Sequence, residues 1–370
     1  MNTKLPFLFF IILLLIACKS KTTNKDNNVT IENISISNSS KLGYSIVDTV
    51  TYIPLVENDN FLFSSISKLI IKEDKILILD LLGSNSLLCF DNLGTFLFKV
   101  GRQGAGPGEY TKLWDFDVSN SNIYLYDRGK KQMLIYDLDG NFVKTKKSGF
   151  RGDSFKLLNN NDFIFSLAKE GKEGPLLVLT DNNLKIKKTY LSYSSENNDD
   201  KFNYNLFQTT GNIFLYNKSV NDTVYSFNME NGEMGKALVF DFGKRTVPDE
   251  LKNSYDKLSE VRGLHNYIYF FETPIIVKNI LIGQIFNGKN KGTLIYDMNN
   301  HNCEIHDWLP GKLDYKHIFL PISTNENQII GWMDYEIFES LNVKPILKNE
   351  YLEHLKEGGR LLVFYHLNYK

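Results

Sequence analysis

Residues 75–101 read KILILDLLGSNSLLCFDNLGTFLFKVG, and residues 122–149 read NIYLYDRGKKQMLIYDLDGNFVKTKKSG. Laid over one another, Asp80 falls on Asp127, Asp91 on Asp137 and Gly94 on Gly140, at offsets of 47, 46 and 46. Each copy runs strand, polar turn, strand, Asp/Asn-Gly-type turn, strand. Fainter copies follow at residues 176–182, at 213–216 with 224–228, at 280–282 with 294–297, and at 328–330 with 361–365. That makes six units. A strand-rich unit recurring every ~40–50 residues is the signature of a β-propeller. Residues 76–79 and 123–126 are apolar without alternation, as a strand covered on both sheet faces must be. Asp139-Gly140 and Asn231-Gly232 stand between strands, where hairpins call for positive φ.

The ends of the chain argue the same way. The sixth unit stops after its third strand, near Leu367, and residues 49–55 (TVTYIPL) form an orphan strand at the beginning. That strand is expected to become the outermost strand of blade six and to close the ring. Two long insertions interrupt the pattern. Residues 244–272 carry a helix expected over 248–261, with Pro248 in its first turn and acidic residues after it. Residues 339–359 carry helical spacing in EYLEHLKEG and stop at Gly358-Gly359. The expected architecture is all-β: a six-bladed β-propeller over residues 29–370, closed by its N-terminal strand and bearing two short helical insertions.

Ahead of the propeller, Lys4 precedes an apolar run over residues 7–17. At ~1.5 Å per residue this run covers about half of a ~30 Å hydrocarbon core, so residues 1–17 read as a signal peptide and not a span. The run ends in LIAC, which resembles a bacterial lipobox. The resemblance implies that Cys18 becomes the first mature residue and carries the lipid, with residues 18–28 as a polar tether. Lys19 is not the aspartate typical of inner-membrane retention, which favours an outer-membrane lipoprotein. The tether lacks the acidic residues of surface-export signals, which places the periplasmic face ahead of the cell surface.

The charge balance, 42 basic against 43 acidic residues, removes the footprint of a nucleic-acid binder. Three cysteines make no disulfide framework. Cys89 falls in a core strand, and no bridge to Cys303 is expected, because blades one and five are not neighbours.

Residues 101–110, GRQGAGPGEY, and the strand–aspartate–basic turn–strand that follows resemble the NHL repeat. More closely, the whole layout resembles the six-bladed propeller lipoproteins of Bacteroidetes: lipobox, DTVTYIPL opening strand, a single glycine-rich segment, and a final LLVFYHL strand. The resemblance implies envelope location and architecture; it implies no general activity.

In a four-stranded blade, the link from the outermost strand to the next innermost one shares a face with the link between strands two and three. The glycine segment, residues 128–132 and both insertions fall on such links, so this face is expected to bind a ligand. Its candidate lining residues are Arg102, Glu109, Tyr110, Trp114, Arg128 and Arg151, aromatic and Arg side chains being common anchors. GRQGAGPGEY lacks the Gly-Lys-Ser/Thr ending of a phosphate loop. Residues 301–307 (HNCEIHD) form the one metal-like cluster and are expected to be a solvated turn and edge strand. The Arg151-Gly152-Asp153 tripeptide is discounted as chance. No metal ligands are assigned; calcium or another divalent metal held by carboxylates in the channel is the one cofactor left open. The leading reading is a membrane-tethered, non-enzymatic scaffold for a peptide, glycan or partner protein. The alternative is an NHL-like enzyme of the lyase or lactonase type with a channel metal. That chemistry needs ligands at equivalent innermost-strand positions, and the six histidines (265, 301, 306, 317, 354, 366) do not recur at equivalent sites.

Overall fold

The computed structural model describes residues 30–36, 46–56, 63–168, 170, 173–194, 207–218, 220–252, 266–309, 311–325 and 327–368. The signal segment 1–17, Cys18 and the tether to residue 28 lie outside the described residues, as do residues 253–265, which include most of the helix expected over 248–261.

Six antiparallel sheets form the blades, each running from an innermost to an outermost strand. Blade 1 comprises Lys68–Lys72, Lys75–Asp80, Ser86–Asp91 and Phe96–Val100, and blade 2 comprises Leu113–Val118, Asn122–Asp127, Gln132–Asp137 and Phe142–Lys147. Blade 3 follows with Gly152–Leu157, Phe163–Leu167, Glu173–Thr180 and Ile186–Ser194, and blade 4 with Phe207–Thr210, Ile213–Asn217, Thr223–Asn228 and Met234–Asp241. The innermost strand of blade 5 is broken into Ile268–Phe270 and Ile275–Val277, beside Ile280–Asn287, Asn290–Asp297 and Asn302–Asp307. Residues 268–270, which the sequence reading left inside an insertion, therefore already belong to the sheet. Blade 6 comprises Ser323–Asn325, Gln328–Met333, Arg360–Leu367 and the N-terminal Val47–Leu55.

The ring closes as expected. Residues 47–55 run antiparallel to the last strand, with Thr49 opposite His366, Thr51 opposite Phe364 and Leu55 opposite Arg360. The innermost strands contact one another in an unbroken cycle from blade 1 around to blade 6 and back to blade 1.

The core is divided among six seams, one between each pair of neighbouring blades. This explains the non-alternating strands. Ile76 and Ile78 enter the seam between blades 6 and 1, while Leu77 and Leu79 enter the seam between blades 1 and 2. In blade 2, Ile123 and Leu125 face blade 1, and Tyr124 and Tyr126 face blade 3. Both sheet faces are thus removed from water, and each fully buried aliphatic or aromatic side chain contributes ~1.5–3 kcal/mol of transfer free energy.

The repeated aspartates hold turns. Asp91 Oδ1 accepts from the Leu93 and Thr95 amides at 2.9 and 2.8 Å, and Asp137 Oδ1 accepts from Asp139 and Asn141 at 3.0 and 2.8 Å. Gly94 has φ +85°, and a Cβ there would stand 1.9 Å from the Pro54 carbonyl oxygen. Only glycine lets the closing strand pass this turn. Asp80 and Asp127 tie the start of their own blade to its second turn. Asp80 accepts from the Ser65, Gly83 and Ser84 amides, and Asp127 accepts from Thr111, Lys112 and Gly129.

One strand was not expected. Ile31–Ser35 adds to the outer edge of blade 4, parallel to Met234–Asp241, with Ile31 opposite Ala237 and Ser35 opposite Asp241. It buries only Ile34 among its five residues, which leaves little periodicity to detect.

The insertion in blade 6 forms two helices, Tyr335–Ser340 and Asn349–Lys356; the first was not foreseen. Asp334 caps the first by accepting from the Ile337 amide at 2.9 Å, and Gly358 at φ +93° follows the second. Phe338, Leu341 and Leu355 sink into the seam between blades 5 and 6. In the other insertion, helix Asp249–Lys252 and Val247 pack on Val220 and Tyr269 at blades 4 and 5. Both insertions share a face, and their described parts are buttresses seated on blade seams.

Candidate functional site

The six residues singled out from sequence separate into three roles. Arg102–Gln103 pairs in parallel with Glu109–Tyr110 and closes the glycine-rich link into a small loop. Glu109 is the clasp: Oε2 accepts from the Gly106 amide at 2.7 Å and Oε1 from Arg102 Nε at 2.5 Å. The Gly106 amide, with Arg102 beside it, holds this carboxyl below its ordinary range. Tyr110 is 1% exposed in the seam between blades 1 and 2, and burial pushes its phenol up. Tyr110 is thus a core residue and Glu109 the clasp of the loop, while Arg102 stays largely exposed beside it.

Trp114, Arg128 and Arg151 belong together. Trp114 lies on the innermost strand of blade 2, and the Arg128 guanidinium sits 4.2 Å from its ring centroid. Arg128 is 5% exposed, and its Nη2 is 3.0 Å from Asp153 Oδ1 on blade 3. A buried guanidinium stacked on indole and paired with a carboxylate is fixed in position. It forms the floor of a cleft of about 280 Å³ between blades 2 and 3, lined by Lys112, Arg128, Gly129, Lys131, Arg151 and Glu170. Sequence reasoning found Arg128 and Arg151 and missed Lys112, Lys131 and Glu170. The signal for the lysines was available: Lys112 ends one link on the chosen face, and Lys131 lies in the second turn of blade 2.

The backbone of the cleft is braced from below. Asp127 is fully buried and accepts from Thr111 N, Lys112 N, Gly129 N and Thr111 Oγ1 at 2.9, 3.1, 2.9 and 3.0 Å. A Cβ on Gly129 would come 2.4 Å from Thr111 Oγ1, so the turn presses directly on the link. On the other side, the Tyr193 hydroxyl donates to the Glu170 carbonyl and accepts from its amide at 3.1 and 3.0 Å.

The channel wall uses its charges for assembly. From blade 2, Asp115 accepts from the Phe155 amide of blade 3 at 2.8 Å and pairs with Lys68 of blade 1 at 2.8 Å. Asp117 accepts from the Leu157 amide at 2.8 Å and pairs with Lys156 at 2.9 Å. Burial alone would raise the Asp117 carboxyl, but Lys156 and Lys68 hold it below the ordinary range. Two carboxylates matched by two lysines stitch three blades together. Among the described residues, no group of three or more His, Cys, Asp or Glu side chains is arranged to hold a metal ion. The five described histidines stand on a turn, an outermost strand, a link, a helix and a third strand, none of them innermost.

Residues 302–307 form the outermost strand of blade 5, at the rim as expected, but the segment is not solvated throughout. Cys303 is 2% exposed, and burial pushes its thiol up to about 12. His306 pairs with Glu304 at 3.1 Å and packs edge-on against His317, with ring centroids 5.1 Å apart. Burial, then His317, pushes the His306 imidazole down to about 4. The link after blade 5 folds back over this strand and supplies the cover that local sequence cannot show. Cys89 and Cys303 are free thiols, as expected. In the Arg151-Gly152-Asp153 tripeptide, the Gly152 amide donates to Tyr126 and Asp153 pairs with Arg128, so the segment is built into the blade.

With this geometry in view, the chain can be placed among known proteins. It belongs to the family described as Domain of unknown function (DUF4934), which matches residues 26–358. In fold it is similar to a Bacteroides fragilis protein described as exported, at 17% identity and a TM-score of 0.71, covering 92% of this chain and all of that one. It is also similar to a member of the DUF4221 family from Bacteroides vulgatus, at 8% identity and a TM-score of 0.51, covering 87% and 97% of the two chains. The virginiamycin B lyase of Staphylococcus aureus is more distant, at 11% identity and a TM-score of 0.40 over 70% and 73%. No functionally curated protein matches the chain. Among the described residues, no helix is long and apolar enough to cross a membrane.

Proposed function

We propose that the protein is an outer-membrane lipoprotein, anchored through Cys18, whose propeller is a non-enzymatic scaffold that binds a peptide, glycan or partner protein on the face carrying the cleft. The observation that supports this most directly is the preformed cleft between blades 2 and 3. Its floor is locked by Trp114, Arg128 and Asp153, and its backbone is locked by Asp127. Rigid presentation of polar groups is what a binding site requires and a mere surface indentation lacks. The exported neighbour in Bacteroides fragilis and the lipobox-like LIAC support an envelope location.

The topology is compatible with such an anchor. Met234–Asp241 leads into the cleft face, and Ile31–Ser35 runs parallel to it, so the chain comes into the propeller from the opposite side. From Cys18 to Thr30 is twelve residues, which extended reach about 40 Å. An anchor attached there leaves the cleft face free to turn toward the periplasm.

Two measurements test the reading. Incorporation of radiolabelled palmitate in a Bacteroides host should occur in the parent chain and vanish in Cys18→Ala, with the label in the outer-membrane fraction. Residues 19–370, fluorescently labelled, should be retained on a peptide and glycan array. A double variant, Lys131→Glu with Arg151→Glu, should lose that retention while melting like the parent. Retention that survives the double charge reversal would move the binding site elsewhere.

A further inference from the structure

We infer that the cleft between blades 2 and 3 selects a small hydrophilic ligand bearing an oxyanion: a saccharide-sized molecule with a carboxylate, sulfate ester or phosphate group. This rests on the cleft being the binding site of the reading above and names what it takes. Four cations, Lys112, Arg128, Lys131 and Arg151, line the cleft against one carboxylate, Glu170. The chain as a whole carries a net charge of −1, so this concentration of positive charge is local. Asp153 offsets Arg128, which serves as the floor. Three cations stand at the walls, all exposed: Lys131, Arg151 and Lys112, whose ammonium lies 5.2 Å from the Trp114 ring centroid.

Shape and lining narrow the ligand further. A volume of about 280 Å³ sits at the small end of ligand sites, enough for one ring and its acidic substituent. Every lining side chain is charged and the sixth residue is glycine, so what apolar surface the cleft has is the stems of its lysines and arginines, which suits a sugar ring better than a lipid tail. Arg151 supplies a planar fork suited to two oxygens of one acid group, and the lysines supply point charges. Glu170, held at its backbone by the Tyr193 hydroxyl, is the one carboxylate side chain lining the cleft and suits a ligand hydroxyl. The backbone that carries Lys112 and Gly129 is fixed by Asp127 and the floor by the Arg128–Trp114 stack, so a ligand has only the exposed wall side chains to order.

Isothermal titration of residues 19–370 at low salt with glucuronate, glucose 6-sulfate, glucose 6-phosphate and glucose tests the inference. At least one of the three acids should bind at least tenfold more tightly than glucose, and binding should weaken as salt is raised. Which acid binds best identifies the oxyanion. Arg151→Ala and Lys131→Ala should each weaken that acid about tenfold while leaving the thermal midpoint within ~2 °C, since both side chains are exposed. Equal binding of glucose and the acids, or acid binding indifferent to both substitutions, overturns the inference. A neutral glycan retained on the array, and released by the double charge reversal, would leave the scaffold reading standing while the oxyanion falls. Loss of both would end the two together.

Discussion

Asp127→Ala removes the carboxylate that carries the cleft, and its repeat partner Asp80→Ala provides the control. Asp127 accepts four close hydrogen bonds from Thr111, Lys112 and Gly129, with longer ones from Lys130 and Gln132. Asp80 accepts a similar set from Ser64, Ser65, Gly83 and Ser84. A hydrogen bond to a charged group contributes ~1.5–3 kcal/mol, but the donors lie near the surface and water replaces part of the loss, so the bonds do not sum. Breaking such a buried network costs about 3–5 kcal/mol. With an unfolding entropy of ~2 cal/mol/K per residue over the roughly 290 described residues, that corresponds to a midpoint lowered by about 5–9 °C. Thermal melts followed by circular dichroism should show this drop for both variants. Titration with the best-bound acid sugar should then separate them: Asp127→Ala loses binding because the Lys112 and Gly129 amides are released, and Asp80→Ala retains it. A melt of Asp127→Ala within 1 °C of the parent would refute the staple. Equal loss of binding in both variants would refute its link to the cleft.

Further outcomes follow from the same geometry. His306 is held near 4 in the fold against an unfolded value of about 6.5, so the unfolded chain binds the extra proton first. The stability this neutral ring preserves is complete above about pH 6.5 and falls as pH drops toward 4, by ~2–3 kcal/mol. Urea midpoints between pH 7 and 4 should decline less steeply in His306→Gln than in the parent, and parallel slopes would count against the assignment. Removing residues 19–45 deletes the edge strand on blade 4, whose one buried side chain is Ile34, and should cost ~2 kcal/mol with cooperative melting intact. Removing residues 19–56 deletes the closing strand of blade 6, and cooperative melting should disappear; a sharp transition in that variant would refute closure by Val47–Leu55. Cys89 and Cys303, both buried with thiols pushed up to about 12, should resist a thiol reagent at pH 8 in residues 19–370 and react only in denaturant.

The two clear copies in residues 75–149 set the period and the fainter copies up to residue 365 brought the count to six, because each blade repeats the same local problem. Two turns need an aspartate and a residue at positive φ, and a two-faced strand needs an unbroken apolar run. Closure by residues 49–55 was legible for the same reason, since a unit short of one strand and a strand short of a sheet answer each other. The cleft was only half legible: Arg128 and Arg151 could be picked out, but which residues meet there is a matter of tertiary structure. Glu109 and Tyr110 have the residue types of a binding surface, yet a loop and a seam absorb them. Lys112 and Lys131 sit on links of that face without a distinguishing residue pattern, and they meet Glu170 only because blades 2 and 3 stand side by side. The covered His306 and the edge strand at Ile31–Ser35 likewise depend on segments distant in the chain. Repetition writes backbone and core into the sequence, whereas a cleft between blades is a relation among links of different units, set by how the ring packs.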